Sequence, residues 1–149
     1  MQKLNFPNYK FRLKNTENKI SIFDVIRKKF VILTPEEWVR QHVVHFLITE
    51  KHYPPHLIAV EKQLKINDLI KRFDVLVFDS DAKPLVLIEC KAPKITINQT
   101  VFDQIARYNL TIDAKYMMVT NGLTHYYSIM NNSLEKYDFL RDLPDFNRK

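Results

Sequence analysis

Asp74, Glu89 and Lys91 are the residues of this sequence whose types and spacing can do chemistry. The stretch Leu85-Val86-Leu87-Ile88-Glu89-Cys90-Lys91 stays apolar until it ends in a carboxylate and an ammonium two residues apart, and it is predicted to be a buried strand. Side chains alternate along a strand, so Leu85, Leu87, Glu89 and Lys91 share one face, and Val86, Ile88 and Cys90 the other. A second strand is predicted from Arg72 to Asp79, its apolar run interrupted by Asp74. With a turn centred between Asp81 and Ala82, opposed residues have position numbers of constant sum, which sets Asp74 opposite Glu89. Opposed Cβ atoms lie about 4.5–5.5 Å apart, where like charges repel. A hard divalent cation removes the conflict, because two carboxylates, a backbone carbonyl (that of Cys90) and waters make an ordinary Mg²⁺ shell, which Mn²⁺ can replace. Lys91 can orient an attacking water or offset charge developing on a phosphoryl group, and the cation can acidify that water. Two acids and a lysine around one metal form a phosphodiester-hydrolysing arrangement. A register slip of one residue would spoil the pairing.

These residues need elements to position them. Short strands are predicted at Ile20–Phe23 and Phe30–Leu33, around the basic segment Arg27-Lys28-Lys29. Thr34-Pro35-Glu36-Glu37 announces a helix, with Thr34 as N-cap, proline in its favoured first position and Glu37 where a capping box wants glutamate. That helix runs to about Glu50 and buries Trp38, Val39, Val43, Phe46 and Leu47. Strands follow at Ile58–Leu64, Arg72–Asp79 and Leu85–Lys91. A second helix spans Asn98 to about Ile112, with Val101, Ile105, Tyr108 and Ile112 inward. Lys115–Thr120 is the next strand, Asn121-Gly122 signals a hairpin, and Thr124–Met130 returns antiparallel, with a weaker strand after Asn131-Asn132. The fold class is α/β, a mixed sheet flanked by helices: an antiparallel three-strand meander, then a parallel strand reached through a crossover helix. One domain over residues 1–149 is expected, with 1–18 ragged and 140–149 a loose cap.

Composition narrows the function. The chain of 149 residues is 46% hydrophobic and 27% charged, ordinary for a globular domain. A formal net charge of +6 favours a polyanionic partner such as nucleic acid. Gly122 is the only glycine, so neither a Walker-type loop nor a dinucleotide fingerprint can be written. The lone cysteine forms no internal disulfide, and no apolar run is long enough for a membrane span, which fits a cytoplasmic protein. Cys90 reads as a small buried hydrophobe. The five histidines lack zinc-site spacing, and no serine sits in a nucleophile elbow.

Asp74 followed by Glu89-Cys90-Lys91 resembles the PD-(D/E)XK nuclease superfamily. More distinctive are Pro35-Glu36-Glu37-Trp38-Val39-Arg40-Gln41, Lys71-Arg72-Phe73-Asp74, Glu89-Cys90-Lys91-Ala92-Pro93, Gln104 with Tyr108-Asn109, and Thr120-Asn121-Gly122. In that order they resemble the N-terminal nuclease domain of type I restriction enzyme R subunits, in a small stand-alone form, over about Ile20–Met130. The resemblance implies a restriction-endonuclease-like fold and a Mg²⁺-dependent DNA endonuclease. Asp74 and Glu89 would be metal ligands, Lys91 catalytic, Gln104 beside them from the second helix, and a first-helix glutamate, placed at Glu37, near the metal. Phe73 stands where the motif has proline. Helicase modules are missing, so translocation does not transfer.

Other readings stay open. Asp74 and Glu89 could be a surface carboxylate and a strand-end charge. The capping box alone would explain Glu37, and Gln104 could merely flank its helix, although Gln104 and Tyr108 at i, i+4 can point together toward a groove. Arg40, Arg107 and Tyr108 are candidate nucleic-acid contacts. The alternative to an enzyme is a catalytically silent module that keeps the fold and binds nucleic acid or a partner chain. DNA is the expected partner. A restriction-modification or helicase subunit, or a second copy in a homodimer, is left open, and no membrane partner is expected.

Overall fold

The structure is a computed structural model that describes residues 1–133 and 135–147. A small antiparallel sheet comes first: β1 (Leu13–Thr16), β2 (Lys19–Asp24) and β3 (Lys29–Ile32). The helix α1 (Pro35–Thr49) and a 3₁₀ turn at Pro55–Leu57 lead into a six-stranded sheet. Its strands, in spatial order, are β4 (Ile58–Ile66), β5 (Leu69–Phe78), β6 (Pro84–Cys90), β7 (Tyr116–Thr120), β8 (His125–Asn131) and β9 (Lys136–Leu140), with α2 (Gln99–Ile112) between β6 and β7. β4, β5 and β6 form the antiparallel meander, and β6 pairs parallel with β7 across α2. β1 was not anticipated.

Helix starts follow local chemistry. The Thr34 hydroxyl accepts from the Glu37 N–H at 3.0 Å and the Asn98 carbonyl from the Val101 N–H at 3.0 Å, each satisfying an orphan donor of a first turn. The sheet separates two cores. On one side α1 brings Val39, Val43 and Leu47 against Val75, Val77, Val86, Ile88 and Met118. On the other α2 brings Ile105 against Leu76, Leu87, Met117 and Val119. Alternation along β6 holds for Val86, Leu87, Ile88 and Cys90, but Leu85 packs with the α1 core, beside the register shift at Val77/Phe78.

The β5–β6 ladder runs Val75↔Ile88, Leu76↔Leu87, Val77↔Val86, so the expected constant sum holds and the next step sets Asp74 beside Glu89. An unexpected feature sits at that step. In β4, Ile58 and Val60 face the α1 core while Leu64 and Ile66 face the α2 core; in β5, Val75 faces α1 and Phe73 faces α2. Period-two alternation forbids this unless the strand pair rolls over between those positions. Glu61, at φ 56°, lies in the left-handed region there, and the β4–β5 ladder skips the pair that would join Glu61 to Asp74. Asp74 therefore emerges where the two faces exchange, within reach of α1 as well as of β6.

The termini differ from expectation. Leu4 is buried, the Asn5 N–H donates to the Gly122 carbonyl at 2.7 Å, and the Trp38 indole N–H donates to the Gln2 carbonyl at 2.7 Å. Gly122, at φ 87°, is required: an added Cβ would meet the Leu4 side chain at 2.9 Å and Val39 at 3.1 Å. At the other end Leu143 is buried and the Tyr53 hydroxyl donates to the Pro144 carbonyl at 2.8 Å. Leu4, Phe6 and Tyr9 at one end and Leu140, Leu143 and Phe146 at the other join the α1 core, because they find partners far away in the sequence, whereas β1 is exposed and 148–149 lie outside the described residues. Among the described residues, no helix is long and apolar enough to cross a membrane.

Candidate functional site

Two strands and one helix meet at Asp74. From β5, its carboxylate accepts from the Cys90 N–H at 2.9 Å and from the Arg40 guanidinium at 2.6 Å. From β6, Glu89 is its hydrogen-bonding neighbour. Lys91, just past β6, brings its ammonium to 3.7 Å from the Glu89 carboxylate. The structure thus brings Asp74, Glu89 and Lys91 together at the strand ends. The loop that follows Lys91 is tied down by Asn121, whose side-chain amide donates to the Ile95 carbonyl at 2.8 Å.

Burial gives this cluster its character. It pushes the Glu89 carboxyl up, and the hydrogen bond with Asp74 and the negative charge beside it push further, to about 9 despite Lys91 and Lys71. Burial also raises Asp74, but the Glu89 hydrogen bond, the Arg40 guanidinium and the Cys90 N–H outweigh it and hold that carboxyl below its usual range. The two shifts run in opposite directions, so Glu89 holds a proton more tightly than Asp74 does. Glu36, half exposed, is also pushed up, by burial and by Asp74. Cys90 is buried and its thiol is raised well above normal, so it is no nucleophile.

Two expected roles are corrected. Glu37 does not approach this pair. Its carboxylate accepts from Arg27 at 3.0 Å, from Arg40 at 2.5 Å and from Gln41 at 2.9 Å, closing a separate cluster in which Asp24 takes Arg27 and Gln41. The first-helix glutamate that feels the Asp74 charge is the preceding one, Glu36. Arg40 is no free contact for nucleic acid: it is buried and ion-paired with Glu36, Glu37, Glu61 and Asp74. Its spacing from Glu36 and Glu37, at i+4 and i+3, was the available signal for that pairing. No comparable signal pointed to Asp24, Arg27 or Glu61.

The helix α2 contributes less directly. Tyr108 packs edge-on to Phe73 at 6.1 Å between ring centres, and the Lys71 ammonium sits 4.8 Å from the Tyr108 ring. Gln104, one turn earlier, is exposed and makes no side-chain hydrogen bond among the described residues. Arg107 is exposed as well.

The donor set suits a hard cation. Asp74, Glu89 and Glu36 offer carboxylate oxygens, and a cation can displace the proton that Glu89 favours. Among the described residues, no three His, Cys, Asp or Glu side chains form a preformed cage. Mg²⁺ fits such a half-built site because it keeps waters and takes its other oxygens from substrate phosphate.

The sequence profile described as type I restriction enzyme R protein N terminus matches residues 35–144. None of the curated proteins matches the chain. Among solved structures, a fragment assigned to an HsdR subunit of a type I restriction enzyme from Vibrio vulnificus YJ016 is similar, with a TM-score of 0.56 and 19% identity over 76% of this chain. This chain spans 24% of that one, and the likeness at such identity concerns the fold. The profile match runs from the capped start of α1 through the Asp74–Glu89 pair to the C-terminal segment that closes the core, and so the chain belongs to the type I restriction enzyme R protein N-terminal family.

Proposed function

We propose that the chain is a Mg²⁺-dependent DNA endonuclease of the PD-(D/E)XK kind, acting as the nuclease domain of a restriction system. The observation that carries this reading is the buried Asp74–Glu89 pair with the Lys91 ammonium 3.7 Å from Glu89. Asp74, Glu89 and the Cys90 carbonyl would hold the cation, with Mn²⁺ as a substitute. When bound, the cation supplies polarisation of the scissile phosphate and a more acidic attacking water. Lys91 orients that water and offsets charge developing on the phosphoryl oxygens. Arg40 holds Asp74 in place and keeps it ionised. Glu36 stands where Glu37 was expected and would accept a proton from the water. Gln104 reaches the site only after its side chain turns inward on substrate.

DNA is the substrate class. A partner subunit from a restriction-modification complex would supply sequence recognition; among the described residues no helix-turn-helix or zinc-finger module is seen. Incubation of supercoiled plasmid with Mg²⁺ or Mn²⁺ tests the reading. Wild type nicks or linearises the plasmid, while Lys91→Ala does neither yet binds DNA equally well. Equal inactivity of both proteins, with DNA binding retained, assigns the chain instead to the silent binding module.

A further inference from the structure

The net charge of this protein is not spread over it. Residues 1–34 hold eight Lys and Arg against two Asp and Glu, whereas residues 35–149 hold fifteen of each. The entire formal +6 therefore belongs to the segment that builds the three-stranded sheet, ahead of the residues matched by the family profile. Of its two acids, Asp24 is buried against Arg27 and Gln41, which leaves Glu17 in the β1–β2 turn as the one exposed carboxylate.

Register divides this sheet into two faces. Ile22 and Asp24 are buried, and Asp24 meets Gln41 of α1, so the even positions of β2 face the protein. The odd positions face away, and the pairings Phe23↔Phe30 and Thr16↔Lys19 continue that outer face across all three strands. Phe23 and Phe30 pack edge to face at 5.3 Å and belong to neither core. The Arg12 guanidinium lies 4.5 Å from the centre of the Phe23 ring and 5.5 Å from that of Phe30, and the Lys14 ammonium 5.4 Å from Phe30. Rings that hold cation heads in this way reduce the freedom those side chains lose on meeting a phosphate. Arg12, Lys14 and Lys19 are exposed and have no ion-pair partner among the described residues.

We propose that the outer face of β1–β2–β3 is a DNA-docking platform that grips the phosphate backbone without reading sequence. Two ring-held cations, Arg12 and Lys14, with Lys19 beside them on a carboxylate-poor sheet match a polyphosphate, and a chain of ion pairs runs from the β2–β3 turn to the candidate active site. Arg27, in the β2–β3 turn, contacts Glu37 at 3.0 Å, and Glu37 contacts Arg40, which holds Asp74. The identity of the polyanion rests on the nuclease reading; the existence of the platform does not.

The test uses the full chain, a random-sequence duplex labelled for fluorescence anisotropy, and EDTA, so that binding is measured without cleavage. The triple variant Arg12→Gln/Lys14→Gln/Lys19→Gln is compared with wild type and with Lys83→Gln/Lys115→Gln/Lys136→Gln, which loses equal charge from other exposed positions. The platform variant binds about tenfold or more weakly at low salt, and its slope of log affinity against log salt is shallower by about 2–3, at about 0.9 per lost phosphate contact. The control stays near wild type. Equal losses in both variants, no loss in the platform variant, or tighter binding of wild type to anionic phospholipid vesicles than to DNA overturns the proposal. Plasmid cleavage by wild type under Mg²⁺ is scored separately. Cutting with no platform effect sinks the platform alone, and a platform effect without cutting sinks the nuclease alone.

Discussion

Two clusters of acids lie one arginine apart in this protein, and they are built to opposite ends. Around Glu37 and Asp24, each carboxylate meets a guanidinium, the Gln41 amide donates to both, and Asp24 also takes the Ile26 and Arg27 N–H groups at 2.8 and 2.9 Å. The Asp24 carboxyl is held below its normal range, because hydrogen bonds from Arg27, Gln41 and Ile26 outweigh the upward push of burial. Around Asp74, Glu89 and Glu36, three carboxyls share Arg40 and a lysine at 3.7 Å, and two of them are pushed up. The first cluster is compensated and closed. The second is short of positive charge, and this is the ground for proposing that a cation completes it. Residue type does not separate the two clusters; charge compensation does.

Arg40 belongs to both clusters, so removing it breaks the comparison at its centre. Arg40→Met leaves buried carboxylates unpaired and costs about 3–5 kcal/mol of stability, measured by denaturant unfolding. Asp74→Asn and Glu89→Gln act only on the open cluster. Each lowers plasmid cleavage by about 10²–10³-fold; Glu89→Gln leaves stability nearly unchanged, because Glu89 carries its proton in the fold, whereas Asp74→Asn loses the Arg40 ion pair and is destabilised.

The pH dependence separates the clusters by sign. Glu89 keeps its proton in the folded protein up to about 9, far above its ordinary range. The metal-free fold therefore loses stability as pH rises from the ordinary glutamate range through about 9. Divalent binding displaces that proton, so affinity read by calorimetry rises up to about tenfold per pH unit between about 6 and 8. Asp24 behaves oppositely: its contribution is present above the ordinary aspartate range and is lost as pH falls through its lowered value. Smaller still is the contrast between adjacent glutamates. Glu37→Gln costs about 1–3 kcal/mol of stability and leaves metal affinity unchanged. Glu36→Gln weakens cleavage and costs under about 1 kcal/mol, as its side chain is half exposed.

The Asp74–Glu89 pairing was legible because β5 and β6 are joined by a short turn and share a period of two, so one guess about the turn centre fixes every opposed pair. The α1 start was legible because Thr34, Pro35 and Glu37 each prefer one place in a helix. The rollover at Glu61 was not: a glutamate with positive φ has no sequence signature, and it is this that lets Asp74 meet α1. The choice of Glu36 over Glu37 was hidden for a related reason. Both occupy the first turn, and only the fold puts Arg27 beside one and Asp74 beside the other. Leu4 and Leu143 were passed over because their partners, Gly122 and the α1 core, are distant along the chain.

Titration of Mn²⁺ or Mg²⁺ into wild type and Asp74→Asn by isothermal calorimetry, with DNA absent, tests the open cluster most directly. The account predicts that wild type binds a divalent ion at the pair and releases a proton on doing so, whereas Asp74→Asn does neither. Binding of equal strength in both proteins, or no binding to wild type at any pH up to about 9, contradicts it.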